Sequence, residues 1–132
     1  KKSEFSSKEN ALTHYSGKGM FKTWQPEFVQ AFVDWAVEKD TADTYTLCCD
    51  PWFEAQMYTM VPLNTWRHAR RIHVPALVVQ GRRSEMFQAA SGRKLEQNIT
   101  TCRFIQLENN GHFFTMENPT GVIETILPFF DQ

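Results

Sequence analysis

Apolar residues recur at Phe28, Val29, Phe32, Val33, Ala36 and Val37. This is the spacing of one helix face, and it predicts an amphipathic helix ending near Lys39. Pro26 suits the first helical position, and Glu27 suits the positive end of the helix dipole. Ahead of this helix, residues 1–23 are polar and mixed, with a weaker helical suggestion from Glu9 to Tyr15 and then a loop around Gly17 and Gly19. After it, Asp40 to Thr44 reads as a turn and Tyr45 to Cys49 as a brief extended segment. Asp50 and Pro51 supply an N-cap and a first-turn proline for a helix carrying Trp52, Phe53, Ala55, Met57, Tyr58 and Met60. So many large apolar groups on a short helix need cover on more than one side. Pro62 and a polar run to Arg71 close this half of the chain.

The period changes after Ile72. In the run from Ile72 to Gly81, proline precedes four apolar residues and a glycine closes the stretch. That pattern predicts a strand buried on both faces, as a central strand of a parallel sheet is. A helix is expected from Met86 to Gln97, with Gly92 as its weak point. Phe104, Ile105 and Leu107 then mark a second short strand, which would pair parallel with the first as one right-handed βαβ unit. Asn109-Asn110-Gly111 is turn chemistry and places His112 on a loop at the strand end. A last helix, capped by Asn118 and opened by Pro119, runs to about Phe130 with Val122, Ile123, Ile126, Leu127, Phe129 and Phe130 as its apolar surface. The expected class is α/β, with parallel strands near 76–80 and 103–107.

Composition narrows the classes. The 132 residues are the size of one ordinary domain, and 42% hydrophobic with 14% aromatic content supports a real core and excludes general disorder. A net charge of -1 with mixed signs leaves no footprint for nucleic acid or an anionic membrane. The one basic run, Arg67, Arg70 and Arg71, reads as the solvated face of a short helix. Three cysteines are an odd number, and adjacent Cys48 and Cys49 would strain an ordinary disulfide, so a reduced intracellular compartment is expected. No Cys or His pairing has zinc-ligand spacing, and no metal is expected. There is no apolar run of bilayer length and no signal peptide at the start, so stable membrane insertion is not expected. The chain begins Lys-Lys and ends Phe-Phe-Asp-Gln, which is not a peroxisomal Ser-Lys-Leu type ending. The absence of an initiator Met suggests a piece of something longer.

His112 is the candidate for chemistry, because an imidazole on a loop held by a strand is suited to shuttle protons. Strand, polar turn, Gly111-His112-Phe113, then Glu117-Asn118-Pro119 and a closing amphipathic helix resembles the last strand, catalytic-histidine loop and final helix of the α/β-hydrolase superfamily. Residues 72–132 match the order of that fold's C-terminal βαβα part, and the run from Ile72 to Gly81 resembles its strand leading to the triad acid. Residues 1–71 look like the helical cap or lid such enzymes insert before this point. Within that segment, Phe21-x-x-Trp24-x-Pro26-Glu27 and Cys49-x-Pro51-x-x-Glu54-Ala55 are similar to a serine esterase or lipase-like branch found in bacteria and in fungal peroxisomal or toxin-pathway enzymes. The resemblance thus implies a cytoplasmic or peroxisomal setting.

Two positions depart from the pattern. The family's Gly-x-x-Asp reads Gly81-Arg82-Arg83-Ser84, so serine stands in the usual acid position, 28 residues before His112. A serine cannot carry the negative charge that stabilises a protonated imidazole. Glu85 is the nearest surrogate, Glu54 on the aromatic helix is another, and an acid upstream of residue 1 is a third. The second departure is the nucleophile elbow Gly-x-Ser-x-Gly, which does not occur; Ser16-Gly17-Lys18-Gly19 has the glycines without a preceding buried strand. Two parallel strands also fall short of a covered sheet.

The resemblance implies the C-terminal part of a hydrolase that acts on an ester or acyl small molecule, with His112 as proton shuttle and the nucleophile in a missing N-terminal part of the core. No cofactor is needed for that chemistry. Trp24, Phe28, Trp52, Phe53, Met57 and Tyr58 would form an apolar cap over the substrate, with Phe113 and Phe114 beside the imidazole. Competing readings are a non-catalytic binding module of the same fold, favoured by Ser84, and an epoxide hydrolase or dehalogenase with an upstream Asp nucleophile.

Overall fold

The structure is a computed structural model that describes residues 4–40, 43–60 and 62–131. The described residues fall into two compact units, divided between residues 60 and 62.

The first unit opens with β1 (Glu4–Phe5), α1 (Lys8–Ser16), a 3-10 turn (Gly19–Thr23) and α2 (Pro26–Ala36). It continues with β2 (Val37–Lys39), β3 (Tyr45–Leu47) and α3 (Pro51–Thr59). Ser7 caps α1 through its side chain, which accepts from Asn10 N–H. The helix expected to reach Lys39 ends at Ala36 instead. From Val37 the backbone is extended and pairs with β3, Val37 opposite Leu47 and Lys39 opposite Tyr45, so sheet bonds take over from helix bonds. β1 adds on the other side of β3, giving a three-stranded antiparallel sheet in the order β1-β3-β2. Asp43, after β2, adopts φ 63°. Thr41 and Ala42 of the expected turn lie outside the described residues.

Val29, Val33 and Val37 supply the buried stripe of α2 and its extension, packed with Phe5, Ala11, Tyr15 and Phe21. Phe21, Phe32 and Trp24 close this core as an aromatic cluster, with Phe21 lying 4.8 Å from each of the other two rings. Asp50 caps α3 as expected, its Oδ1 accepting from Trp52 N–H at 2.7 Å. The cover that its apolar side chains call for is absent among the described residues: Trp52, Phe53, Met57 and Tyr58 are all more than half exposed.

The second unit contains α4 (Thr65–Ala69), β4 (Ala76–Gly81), α5 (Ala89–Asn98), β5 (Cys102–Leu107), α6 (Phe114–Glu117) and α7 (Pro119–Phe130). The sequence places α4 with the helical half; in the structure it packs with this unit. Arg70 Nε, just after it, donates to Asn98 Oδ1 at 2.8 Å, and Lys94 Nζ sits 4.1 Å from the Trp66 ring centre. β4 and β5 pair parallel from Ala76 opposite Cys102 to Gly81 opposite Leu107. α5 joins them and begins at Ala89, later than the expected Met86. The expected burial of β4 on both faces is not met: Ala76 to Val79 are half-buried and only Gln80 and Gly81 are buried. Its single hydrogen-bonded neighbour among the described residues is β5, which is too little sheet to cover both faces. α7 likewise buries Val122 but leaves Ile123, Leu127 and Phe130 more than half exposed.

Gly92, expected to weaken α5, has a packing role. A Cβ there would lie 2.3 Å from Phe104 Cε2 and 2.5 Å from Cζ, so the glycine lets α5 approach β5. Alanine would gain about 1 kcal/mol of helix propensity, while overpacking costs about 1–3 kcal/mol. Gly92→Ala is therefore expected to lower stability by about 1 kcal/mol in thermal or urea unfolding, and adding Phe104→Leu should recover part of the loss.

Candidate functional site

In a parallel βαβ unit both strands end at the same edge, so the loops that follow them emerge side by side. Here β4 releases the loop carrying Ser84, and β5 releases the loop carrying His112. Backbone bonds stitch the two loops together: Arg82 N–H donates to Leu107 C=O and Arg83 N–H to Asn110 C=O, each at 2.9 Å. Side chains repeat the stitch at the surface. Arg82 Nη1 reaches Glu108 Oε1 at 2.7 Å, and Arg83 Nη2 reaches Asn109 Oδ1 at 3.2 Å.

The closest approach is at Gly81. A Cβ on this residue would fall 1.8 Å from the Gly111 carbonyl oxygen and 2.6 Å from that of Asn110. No other residue type lets the end of β4 pass the histidine loop at this distance.

The result is a direct hydrogen bond between Ser84 Oγ and His112 Nδ1 at 2.9 Å, with both side chains part-buried. Ser84 is itself fixed from two sides. Its N–H donates to Gly81 C=O at 2.9 Å, closing a turn, and its Oγ accepts from Phe87 N–H at 3.1 Å. On the other loop, Glu117 Oε2 accepts from Gly111 N–H at 2.6 Å, which ties α6 to the residue preceding His112. The Phe113 ring meets the imidazole edge-on, with centroids 5.1 Å apart and planes at 85°.

A cavity of about 120 Å³ lies against this pair, lined by Gln80, Ser84, Phe87, His112 and Phe114 among others. Drug-sized ligand sites are about 300–1,000 Å³, and this cavity is smaller than that. Gln80 is 2% exposed and fully engaged. Its Nε2 donates to Phe87 C=O, and its Oε1 accepts from Gln106 Nε2 at 3.1 Å, which couples both strands to the Ser84 loop.

Of the three carboxylate-or-serine candidates for the acid role, the structure brings Ser84 to the histidine. Glu85 is exposed, because successive side chains diverge and Ser84 takes the inward direction. Glu54 lies on α3 of the first unit, beside a cavity lined by Phe32, Ala36, Leu47 and Cys49. Trp24 is part of the first unit's aromatic core, and Trp52, Phe53 and Met57 are exposed on α3. Sequence reasoning missed Gln80, Phe87 and Glu117. Gln80 sits in an otherwise apolar strand, the one signal that could have singled it out; Phe87 contributes through its backbone, and Glu117 reads like ordinary first-turn acid before Asn118-Pro119. Among the described residues no group of three or more His, Cys, Asp or Glu side chains could hold a metal, and no helix is long and apolar enough to cross a membrane.

No family model matches the chain, and no curated protein does. Solved structures do. E-2-(acetamidomethylene)succinate hydrolase superposes with a TM-score of 0.82 at 15% identity over 97% of this chain and 47% of that one. A peroxisomal α/β-hydrolase from Saccharomyces cerevisiae gives 0.82 at 14% identity over 98% and 36%. An esterase from Mycobacterium tuberculosis gives 0.77 at 16% identity over 99% and 45%. The chain therefore spans less than half the length of each of these structures.

Proposed function

Because the chain carries a C-terminal part of the α/β-hydrolase fold, we propose that it is the histidine-bearing part of a longer hydrolase that cleaves an ester or acyl small molecule. The observation that carries this reading is the Ser84–His112 pair, held at the ends of adjacent parallel strands against a small, largely apolar cavity. In the fold, a nucleophile on an earlier strand faces this edge of the sheet. His112 Nε2 takes the proton of that nucleophile as it attacks the acyl carbon, then returns it to the leaving alkoxide. The half-buried faces of β4 fit a sheet continued by further strands, which the missing N-terminal part of the core would supply. In the same reading the helical segment ahead of β4 is the cap that such a fold inserts, and Trp52, Phe53 and Met57 of α3 give that segment an exposed apolar surface.

A fluorophosphonate probe tests this, since it bonds covalently to activated serines. The native polypeptide is expected to be labelled at one serine outside residues 1–132, and labelling should stop in His112→Ala. A protein with neither labelling nor turnover of short-chain esters would sink the reading. The neutral hydroxyl at position 84 favours a second reading, a non-catalytic binding module, and absence of turnover is what it requires. Turnover without labelling would instead point to a carboxylate nucleophile.

A further inference from the structure

We infer that Ser84 is a positioning residue for His112, its hydroxyl orienting the imidazole where a carboxylate would otherwise stand; this rests on the reading of His112 as the proton-transfer base. A serine hydroxyl offers two acceptor lone pairs and one proton. Phe87 N–H takes one lone pair at 3.1 Å. The other faces His112 Nδ1 at 2.9 Å; in the tautomer that the inference requires it accepts the Nδ1–H, which leaves Nε2 unprotonated as the base.

The bond keeps its direction through the proton transfer and strengthens as the ring becomes a cation. The nucleophile's O–H bond breaks as an Nε2–H bond forms. On collapse of the tetrahedral intermediate, Nε2–H breaks and the leaving oxygen gains the proton. Throughout, Nδ1–H keeps donating to Ser84 Oγ, and Ser84 loses and gains nothing. Orientation is retained, while the charge stabilisation a carboxylate gives the imidazolium is absent.

The same geometry argues against Ser84 as the nucleophile. Its Oγ already accepts from a backbone N–H, which draws electron density from it, and the turn closed by Ser84 N–H to Gly81 C=O fixes its position.

The charged groups around the pair are otherwise committed. From the β4 loop, Arg82 bonds Glu108 of the β5 loop, Arg83 bonds Asn109, and Glu85 is exposed. From α6, Glu117 accepts from Gly111 N–H. A carboxylate at position 84 would be a new charge directly on Nδ1. By favouring the imidazolium, it would make the base form disappear at a higher pH.

The test compares native polypeptide with Ser84→Ala, Ser84→Thr, Ser84→Asp and His112→Ala. The substrate is p-nitrophenyl butyrate, from about pH 5 to pH 9 to bracket an imidazole titration, with thermal unfolding of each variant. Ring ¹⁵N NMR of the unsubstituted protein reads the His112 tautomer. Losing a hydrogen bond that is stronger to the imidazolium should lower kcat about tenfold in Ser84→Ala with KM little changed. Ser84→Thr, which keeps the hydroxyl, should retain the rate. Ser84→Asp should raise kcat and move the acidic limb of the profile to higher pH. The NMR spectrum should show the proton on Nδ1.

A folded Ser84→Ala that turns over at the unsubstituted rate and profile while His112→Ala is inactive overturns the inference and leaves the hydrolase reading intact. So does fluorophosphonate labelling of Ser84, or a proton found on Nε2, which depends on no variant's folding. Full turnover by His112→Ala removes the hydrolase reading, and the inference with it.

Discussion

Alanine in place of His112 is expected to lower kcat/KM of the native polypeptide for a short-chain ester by roughly 10²- to 10⁴-fold, the range for removing a positioned general base. Stability should change little. The imidazole is part-buried at a loop, its ring contact is the edge of Phe113, and the loop is held by Glu117 and by backbone bonds that the substitution leaves in place. The loss should appear in kcat more than in KM, because proton transfer is an interaction made in the transition state. Steady-state kinetics with a thermal melt of the same sample checks both halves. An unchanged rate would contradict any role for His112 in proton transfer, whereas a rate loss accompanied by a collapsed melting curve would assign the histidine to folding.

The second large effect is expected at Gly81. A methyl group there would meet two backbone carbonyl oxygens, those of Gly111 and Asn110, far inside contact distance. Backbone cannot swing aside as a side chain can, so either β4 slips or the histidine loop moves. Overpacking of this kind costs about 1–3 kcal/mol. The displacement also separates Ser84 from His112, and a misplacement of about 1 Å can cost about 10²-fold in rate. Gly81→Ala should therefore lose both stability and turnover, in contrast to His112→Ala. Circular dichroism melts with kinetics on the same variants separates the two signatures.

The starts of α3 and α7 were legible in the sequence because capping is local. Asp50 and Asn118 bind N–H groups two and three residues on, at 2.7 and 3.1 Å, and each is followed by proline. β1 and β2 were not legible. They are two and three residues long and exist through pairing with β3, so Val37 continued the helical spacing while its backbone bonds went elsewhere. The same distinction runs through the site. The resemblance puts Ser84 in the family's acid position, and in the structure parallel pairing of β4 and β5 brings its loop to that of His112. What holds Ser84 is a backbone N–H, and Phe87's side chain carries no trace of it. Gly92 looks like a propensity defect in the sequence because its partner, Phe104, lies on another element. The burial of β4 was overestimated from its apolar run, since the run reports what a strand can tolerate on both faces and only the neighbouring elements decide what covers it.

The three thiols are distributed unequally. Cys48 and Cys49 are exposed in the first unit, while Cys102 at the start of β5 is half-covered, and burial, reinforced by the charge of Glu96, pushes its thiol above the ordinary range. The thiolate is the species that reacts with alkylating reagents, so Cys102 is the slow one at neutral pH. A maleimide dye should accordingly label the first unit faster than Cys102, which peptide mapping over a time course would show. Brief labelling thus favours a spectroscopic reporter on the first unit over one on the strand that leads to the histidine.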